Sequence, residues 1–109
     1  VQQLLADSAI EIEAARLLVL RAAGMVDRRL DAREHISMVK VYAAETLGRV
    51  ADRAVQVFGG MGYSKDLPVE RLYRDARVFR IYDGTSEIHR GVVARGLLKR
   101  GVALVDPPA

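Results

Sequence analysis

Apolar residues recur along this chain at helical spacing, and no segment alternates apolar and polar residues with the period of two that marks a strand. The first stretch, from Val1 to Arg28, carries Leu5, Ala9, Ile12, Ala15, Val19, Ala22 and Val26 on one face. Ile10, Ala14 and Leu17 form a second apolar strip away from the first. A helix apolar on two sides is usually sandwiched, so it either exceeds what its own domain can cover or lies buried in an oligomer. After a break at Asp27-Arg28-Arg29-Leu30, the run Asp31-Ala32-Arg33-Glu34 reads as a capping box, with Asp31 as N-cap and Glu34 reaching back. The second helix carries Ile36, Val39, Ala43, Leu47, Val50, Ala54 and Val57 in steps of three and four. It stops at Gly59-Gly60, where glycine tolerates a left-handed C-cap.

A loop rich in helix breakers, Gly60 to Asp66, leads to Pro68, which suits the first turn of a short helix from Val69 to about Val78. Asp83-Gly84-Thr85-Ser86 interrupts the chain before a final helix from about Glu87 to Arg100. The tail Val105-Asp106-Pro107-Pro108 is expected to fray. The pattern predicts an all-α, up-and-down bundle of about four helices, in one domain spanning residues 1–109. The chain opens at Val1 already inside a helix, which reads as an excised piece of something longer.

Composition narrows the function classes. With 50% hydrophobic and 28% charged residues the chain is globular rather than disordered. A net charge of +3 suits an anionic ligand such as a nucleotide cofactor, without the dense basic patch, recognition helix or stacking aromatics of a nucleic-acid binder. The absence of cysteine excludes disulfides, thiolate metal sites and a cysteine nucleophile, and fits a reducing compartment. No apolar run is long enough to span a bilayer, and no metal-like cluster of histidine and aspartate surrounds His35 or His89, so both read as ordinary, partly exposed residues.

Two segments carry candidate chemistry. Gln56-Val57-Phe58-Gly59-Gly60-Met61-Gly62-Tyr63 sets three glycines after a helix end, where backbone amides can approach a ligand. The run from Tyr73 to Arg90 places Asp83 just ahead of a helix whose first amides are unpaired. Asp83 or Thr85 can serve simply as the cap of that helix. Arg71, Arg74, Arg77 and Arg80 sit three apart, and can meet phosphates or form a solvated face paired with Glu70 and Asp75. Tyr82 and Phe79 can wall a pocket or pack in the core, and Gly91 and Gly96 can permit close helix contact.

These two runs, in this order and separation, resemble the signature stretches of the C-terminal helical domain of the FAD-dependent acyl-CoA dehydrogenases, and the resemblance covers essentially the whole chain. It implies an oxidoreductase in which a carboxylate removes the α-proton of an acyl-CoA thioester while the β-hydride passes to FAD. The base would be Asp83, in Tyr82-Asp83-Gly84-Thr85-Ser86, where many members carry the longer glutamate; some members place their base on an earlier helix instead. Tyr82 and Gly84 would contact substrate, with Gly84 against the thioester. Thr85, Ser86 and Glu87 would meet the flavin ribityl and pyrophosphate, and Gln56, Gly59 and Gly60 the adenine half of an FAD held by a neighbouring subunit.

One site would then need two chains, in a homodimer or homotetramer, with a flavoprotein as a candidate electron acceptor and a bacterial cytoplasm or mitochondrial matrix as the setting. The family also has an N-terminal helical domain, a middle β-domain and more of this helical domain ahead of the position of Val1, so this chain alone is expected to be inactive. The competing expectation is a stand-alone helical interaction module without catalysis.

Overall fold

The computed structural model describes residues 1–106, so Pro107 and Pro108 of the tail expected to fray lie outside it. Five α-helices follow one another: α1 (Gln2–Asp27), α2 (Arg33–Phe58), α3 (Gly60–Tyr63), α4 (Val69–Arg77) and α5 (Ser86–Arg100). Two 3-10 turns, Val78–Arg80 and Gly101–Leu104, follow α4 and α5, and no strand occurs among the described residues. α2 is the central element, with α1, α4 and α5 all packed against it. The two 26-residue helices set the 49 Å long dimension of the molecule.

The face by which α1 packs is not the one its apolar pattern predicts. Its packed face carries Leu4, Ser8, Glu11, Ala15, Leu18, Ala22 and Met25, in alternating steps of four and three, with Ala14 and Gly24 half-buried beside them. Two of these are polar: the Ser8 hydroxyl donates to the Leu4 carbonyl of its own helix at 2.8 Å, and α2 supplies the partners of Glu11. Arg49 and Arg53 both grip the Glu11 carboxylate, at 3.1 and 2.9 Å, and Arg53 also reaches the Ser8 hydroxyl. The large residues of the expected stripe are therefore turned outward, with Leu5, Ile12, Val19 and Val26 each at least 44% exposed and Ile10 and Leu17 of the second strip likewise exposed, while Ala15 and Ala22 stay on the packed face.

The capping box does not form. α2 begins after Ala32, which puts Glu34 one position short of the place from which it could reach back. Asp31 accepts a hydrogen bond from the Arg33 backbone N–H at 3.2 Å instead. The Glu34 carboxylate is buried and paired with Arg100 of α5, which holds it below the usual carboxylate range against the opposing effect of burial. A side chain on Gly96 would meet Glu34 Cγ at 2.5 Å, so the missing Cβ there admits the carboxylate between α2 and α5. Gly91 plays no such part, since a Cβ there would meet only the flexible Arg95 of its own helix.

The second helix does end at Gly59, with φ +60 as expected but ψ −138, outside the left-handed helical region. The chain turns directly into α3 rather than into an open loop. Pro68 occupies the N-cap position of α4. Thr85 caps α5, its Oγ1 accepting from the Ile88 N–H at 3.2 Å, so the helix starts at Ser86.

His35 is buried rather than partly exposed, at 5% accessibility, and neither ring nitrogen has a hydrogen-bond partner of proper geometry among the described residues. Burial, followed by the positive charge of Arg21, lowers its pKa from the ordinary 6.5; Glu34 and the nearby Leu104 backbone oppose the shift. The folded state thus prefers the neutral ring, and the stability this gives is present above the unfolded pKa and is lost as pH falls below about 6.5. The thermal midpoint is expected to fall between pH 7 and pH 5.5, before the carboxylates titrate, and His35→Leu should flatten that limb. An unchanged limb in the variant would show that other groups set the pH dependence.

Candidate functional site

The loop between the 3-10 turn and α5 takes an unusual path. Asp83 has φ +53 and Gly84 φ +88, two successive positive values, the first on a residue with a side chain. Such backbone is tolerated by aspartate better than by most residues, yet it still needs support from its surroundings. α2 and α5 supply that support. Lys40 donates from Nζ to the carbonyls of Phe79 and Tyr82, at 2.5 and 3.0 Å, and lies 5.3 Å from the Tyr82 ring centre. His89 Nε2 lies 3.1 Å from the Asp83 carbonyl oxygen, and its Nδ1 lies 3.0 Å from the hydroxyl of Ser37. Sequence reading missed Ser37, Lys40 and the engagement of His89.

The Asp83 carboxylate is exposed and makes no hydrogen bond or ion pair among the described residues. Beside it, Gly84 and Thr85 are half-buried, Ser86 is 3% exposed at the start of α5, and Glu87 faces solvent. Tyr82 packs edge-to-face on Phe79 at 5.3 Å, and the two rings stay about 40% exposed rather than entering the core. Asp83, Gly84, Thr85, Ser86, Glu87 and Tyr82 are thus together in one region, beside Ser37 and Lys40 in the first part of α2.

Gln56, Gly59 and Gly60 are exposed at the other end of α2. A Cβ on Gly59 or Gly60 would meet nothing within 4 Å, so the backbone there is open to a flat ligand. Lys40, under the Asp83 loop, and Gly59 are separated along α2 by about 28 Å at the usual rise per residue. The structure therefore does not bring the two predicted groups to one place within a single chain.

Two clefts lie between α2 and α4, and neither reaches Asp83. One, of about 570 Å³, is lined by Arg49, Arg53, Arg77 and Arg80 together with Glu45 and Asp52. The other, of about 820 Å³, runs beside Gly62, Tyr63, Tyr73 and Ile81. The row of arginines on α4 is divided accordingly. Arg74, paired with Glu70 at 2.8 Å, lines the second cleft, Arg77 lines both, and Arg80, in the 3-10 turn after α4, lines the first. No group of three or more histidines and carboxylates placed to hold a metal ion occurs among the described residues, and no helix of the described chain is long and apolar enough to cross a membrane.

A bundle of this kind, with an acidic loop at positive φ ahead of its last helix and an open glycine turn at the far end of its central one, defines a helical domain with two separate candidate sites. Residues 1–98 match the model of the acyl-CoA dehydrogenase C-terminal domain, and the chain belongs to that family. It is 48% identical over 99 residues to the mitochondrial short-chain specific acyl-CoA dehydrogenase of Bos taurus, covering 91% of this chain and 24% of the relative. It is 46% identical over 97 residues to the caffeyl-CoA reductase-Etf complex subunit CarC of Acetobacterium woodii, covering 89% and 26%. Among solved structures, butyryl-CoA dehydrogenase of Megasphaera elsdenii superposes with a TM-score of 0.86 at 40% identity, over 89% of this chain and 25% of that one. The FAD complex of PigA does so with 0.86 at 30% identity, over 92% and 26%. The chain spans about a quarter of the length of the curated relatives it matches.

Proposed function

We propose that the protein carrying this domain is an FAD-dependent acyl-CoA dehydrogenase in which Asp83 takes the α-proton of the thioester. The observation that carries this reading is the Asp83 carboxylate itself, exposed and unpartnered on a positive-φ loop that is tethered through its backbone. A general base must first reach the proton it removes, so in this reading the backbone of the Asp83 loop would recover the reach lost with a side chain one methylene shorter than glutamate. Gly84 would present its backbone to the thioester, while the space a Cβ there would need belongs to the His89 ring. FAD, when bound, supplies the acceptor for the β-hydride.

Thr85, Ser86 and Glu87 would hold the diphosphate side of that FAD. The Thr85 hydroxyl already takes the Ile88 N–H, leaving the earlier amides of α5 for an anion. Gln56, Gly59 and Gly60 would meet the adenine half of a second FAD, held mainly by a neighbouring subunit. The separation of about 28 Å along α2 between Lys40, under the Asp83 loop, and Gly59 supports assigning the two edges to different cofactors, and in this reading the working unit is at least a dimer. An electron-transferring flavoprotein is the fitting acceptor, in keeping with the Etf complex named for one relative.

The full protein, mixed without oxygen with a panel of saturated acyl-CoA thioesters, should bleach the visible band of its flavin with at least one of them. The isolated domain should retain no FAD and give no turnover, because its Asp83 loop lies on an open surface with no walls to exclude water. A flavin that stays oxidised with every thioester would remove the proposal.

A further inference from the structure

We infer that His89, anchored by Ser37, is a positioning residue for the loop that carries Asp83; this rests on the reading of Asp83 as the base. The carbonyl oxygen of Asp83 can only accept a hydrogen bond, so the Nε2 that meets it carries a proton. The other ring nitrogen meets the hydroxyl of Ser37, which is 4% exposed on the central helix. With both nitrogens engaged, one on the loop and one on α2, the imidazole is fixed in rotation and joins three elements at the base-bearing residue. Its space is also matched to its neighbour: a Cβ on Gly84 would lie 2.7 Å from His89 Nε2 and 3.3 Å from the two adjacent ring carbons. The ring therefore occupies the volume that a side chain at Gly84 would need.

Lys40 complements this hold. It stands three residues beyond Ser37 on the same side of α2 and secures the carbonyls of Phe79 and Tyr82. The loop is thus pinned before and at Asp83, in each case through backbone oxygens that leave the carboxylate unengaged. A φ of +53 at a residue with a side chain is unfavourable in a free loop. Release of the His89 contact should let Asp83 relax and carry its carboxylate away from the α-carbon. A base displaced in this way loses rate without losing substrate binding.

Four variants of the full FAD-loaded protein test the inference: Asp83→Asn, His89→Leu, His89→Gln and Ser37→Ala. His89→Leu should lower kcat about 10- to 100-fold with little change in KM, and should raise the deuterium isotope effect with α-deuterated acyl-CoA. His89→Gln, whose amide N–H can reach the Asp83 carbonyl, should recover most of the turnover, which a merely space-filling role would not require. Wild-type kcat and isotope effect in His89→Leu, or a glutamine variant no better than leucine at equal FAD content, would overturn the inference. If His89→Leu does not retain FAD, Ser37→Ala decides: a reduced kcat with a raised isotope effect supports the inference, and unchanged values overturn it. Wild-type turnover in Asp83→Asn would instead remove the base reading and the positioning role that depends on it.

Discussion

Replacing Asp83 with asparagine should lower kcat of the full protein by about 10²- to 10⁴-fold, the usual contribution of a positioned general base. The substitution is a clean one for structural reasons. Asparagine tolerates positive φ as well as aspartate does. The tethers on the loop run to the carbonyls of Phe79, Tyr82 and Asp83, none of which the substitution alters. The carboxylate itself holds nothing in place among the described residues, so its loss removes a proton acceptor and leaves the loop supported. Asp83→Glu, which restores the residue common in the family, should stay active. Steady-state turnover and FAD content measured side by side check both expectations. A fully active Asp83→Asn protein would move the base to another part of the enzyme.

The second large effect is expected at Gly62. It is buried in α3, and a Cβ there would lie 2.8 Å from the Val55 carbonyl oxygen and 2.9 Å from the Phe58 Cβ. These contacts belong to the last turns of α2 and cannot swing aside as a flexible side chain would. Gly62→Ala should therefore push α3 off the end of α2 and destabilise the protein by about 1–3 kcal/mol, the ordinary range for overpacking. The displacement falls on Gln56, Gly59 and Gly60, so FAD retention through gel filtration should fall together with the thermal midpoint. A variant with both values unchanged would mean that the glycine turn neither packs as closely as described nor supports cofactor.

Much of the fold was legible in the sequence, and the failures have physical causes. The ends of α2 and α5 followed from glycines and from the Thr85 cap, which act locally. The face of α1 did not follow, because its packing stripe contains Ser8, which donates to the Leu4 carbonyl, and Glu11, which is paired with arginines on another helix. Apolar periodicity cannot detect a carboxylate buried against a distant guanidinium. The false capping box at Asp31 had the same origin: Glu34 has a partner in Arg100, 66 residues on, that outweighs the local one. At the candidate site, Asp83 and its neighbours were readable through the family resemblance. Ser37, Lys40 and the role of His89 were not, since three of the bonds end on backbone carbonyls that any residue would offer, and all partners but His89 and Asp83 are 39 to 52 positions apart in the chain.

The length of α2 has a consequence for how defects are inherited. In the proposed assembly, one end of this rod steadies the base of its own active site while the other end completes the cofactor berth of a neighbour. A lesion near Gly62 would then impair the adjacent protomer and spare the acid loop of the chain that bears it, whereas a lesion at Asp83 would do the reverse. Two inactive alleles, one at each end of the same helix, could thus assemble into mixed oligomers in which some sites draw both sound halves. Genetically, such alleles would complement one another, although they lie in one gene and in one small domain.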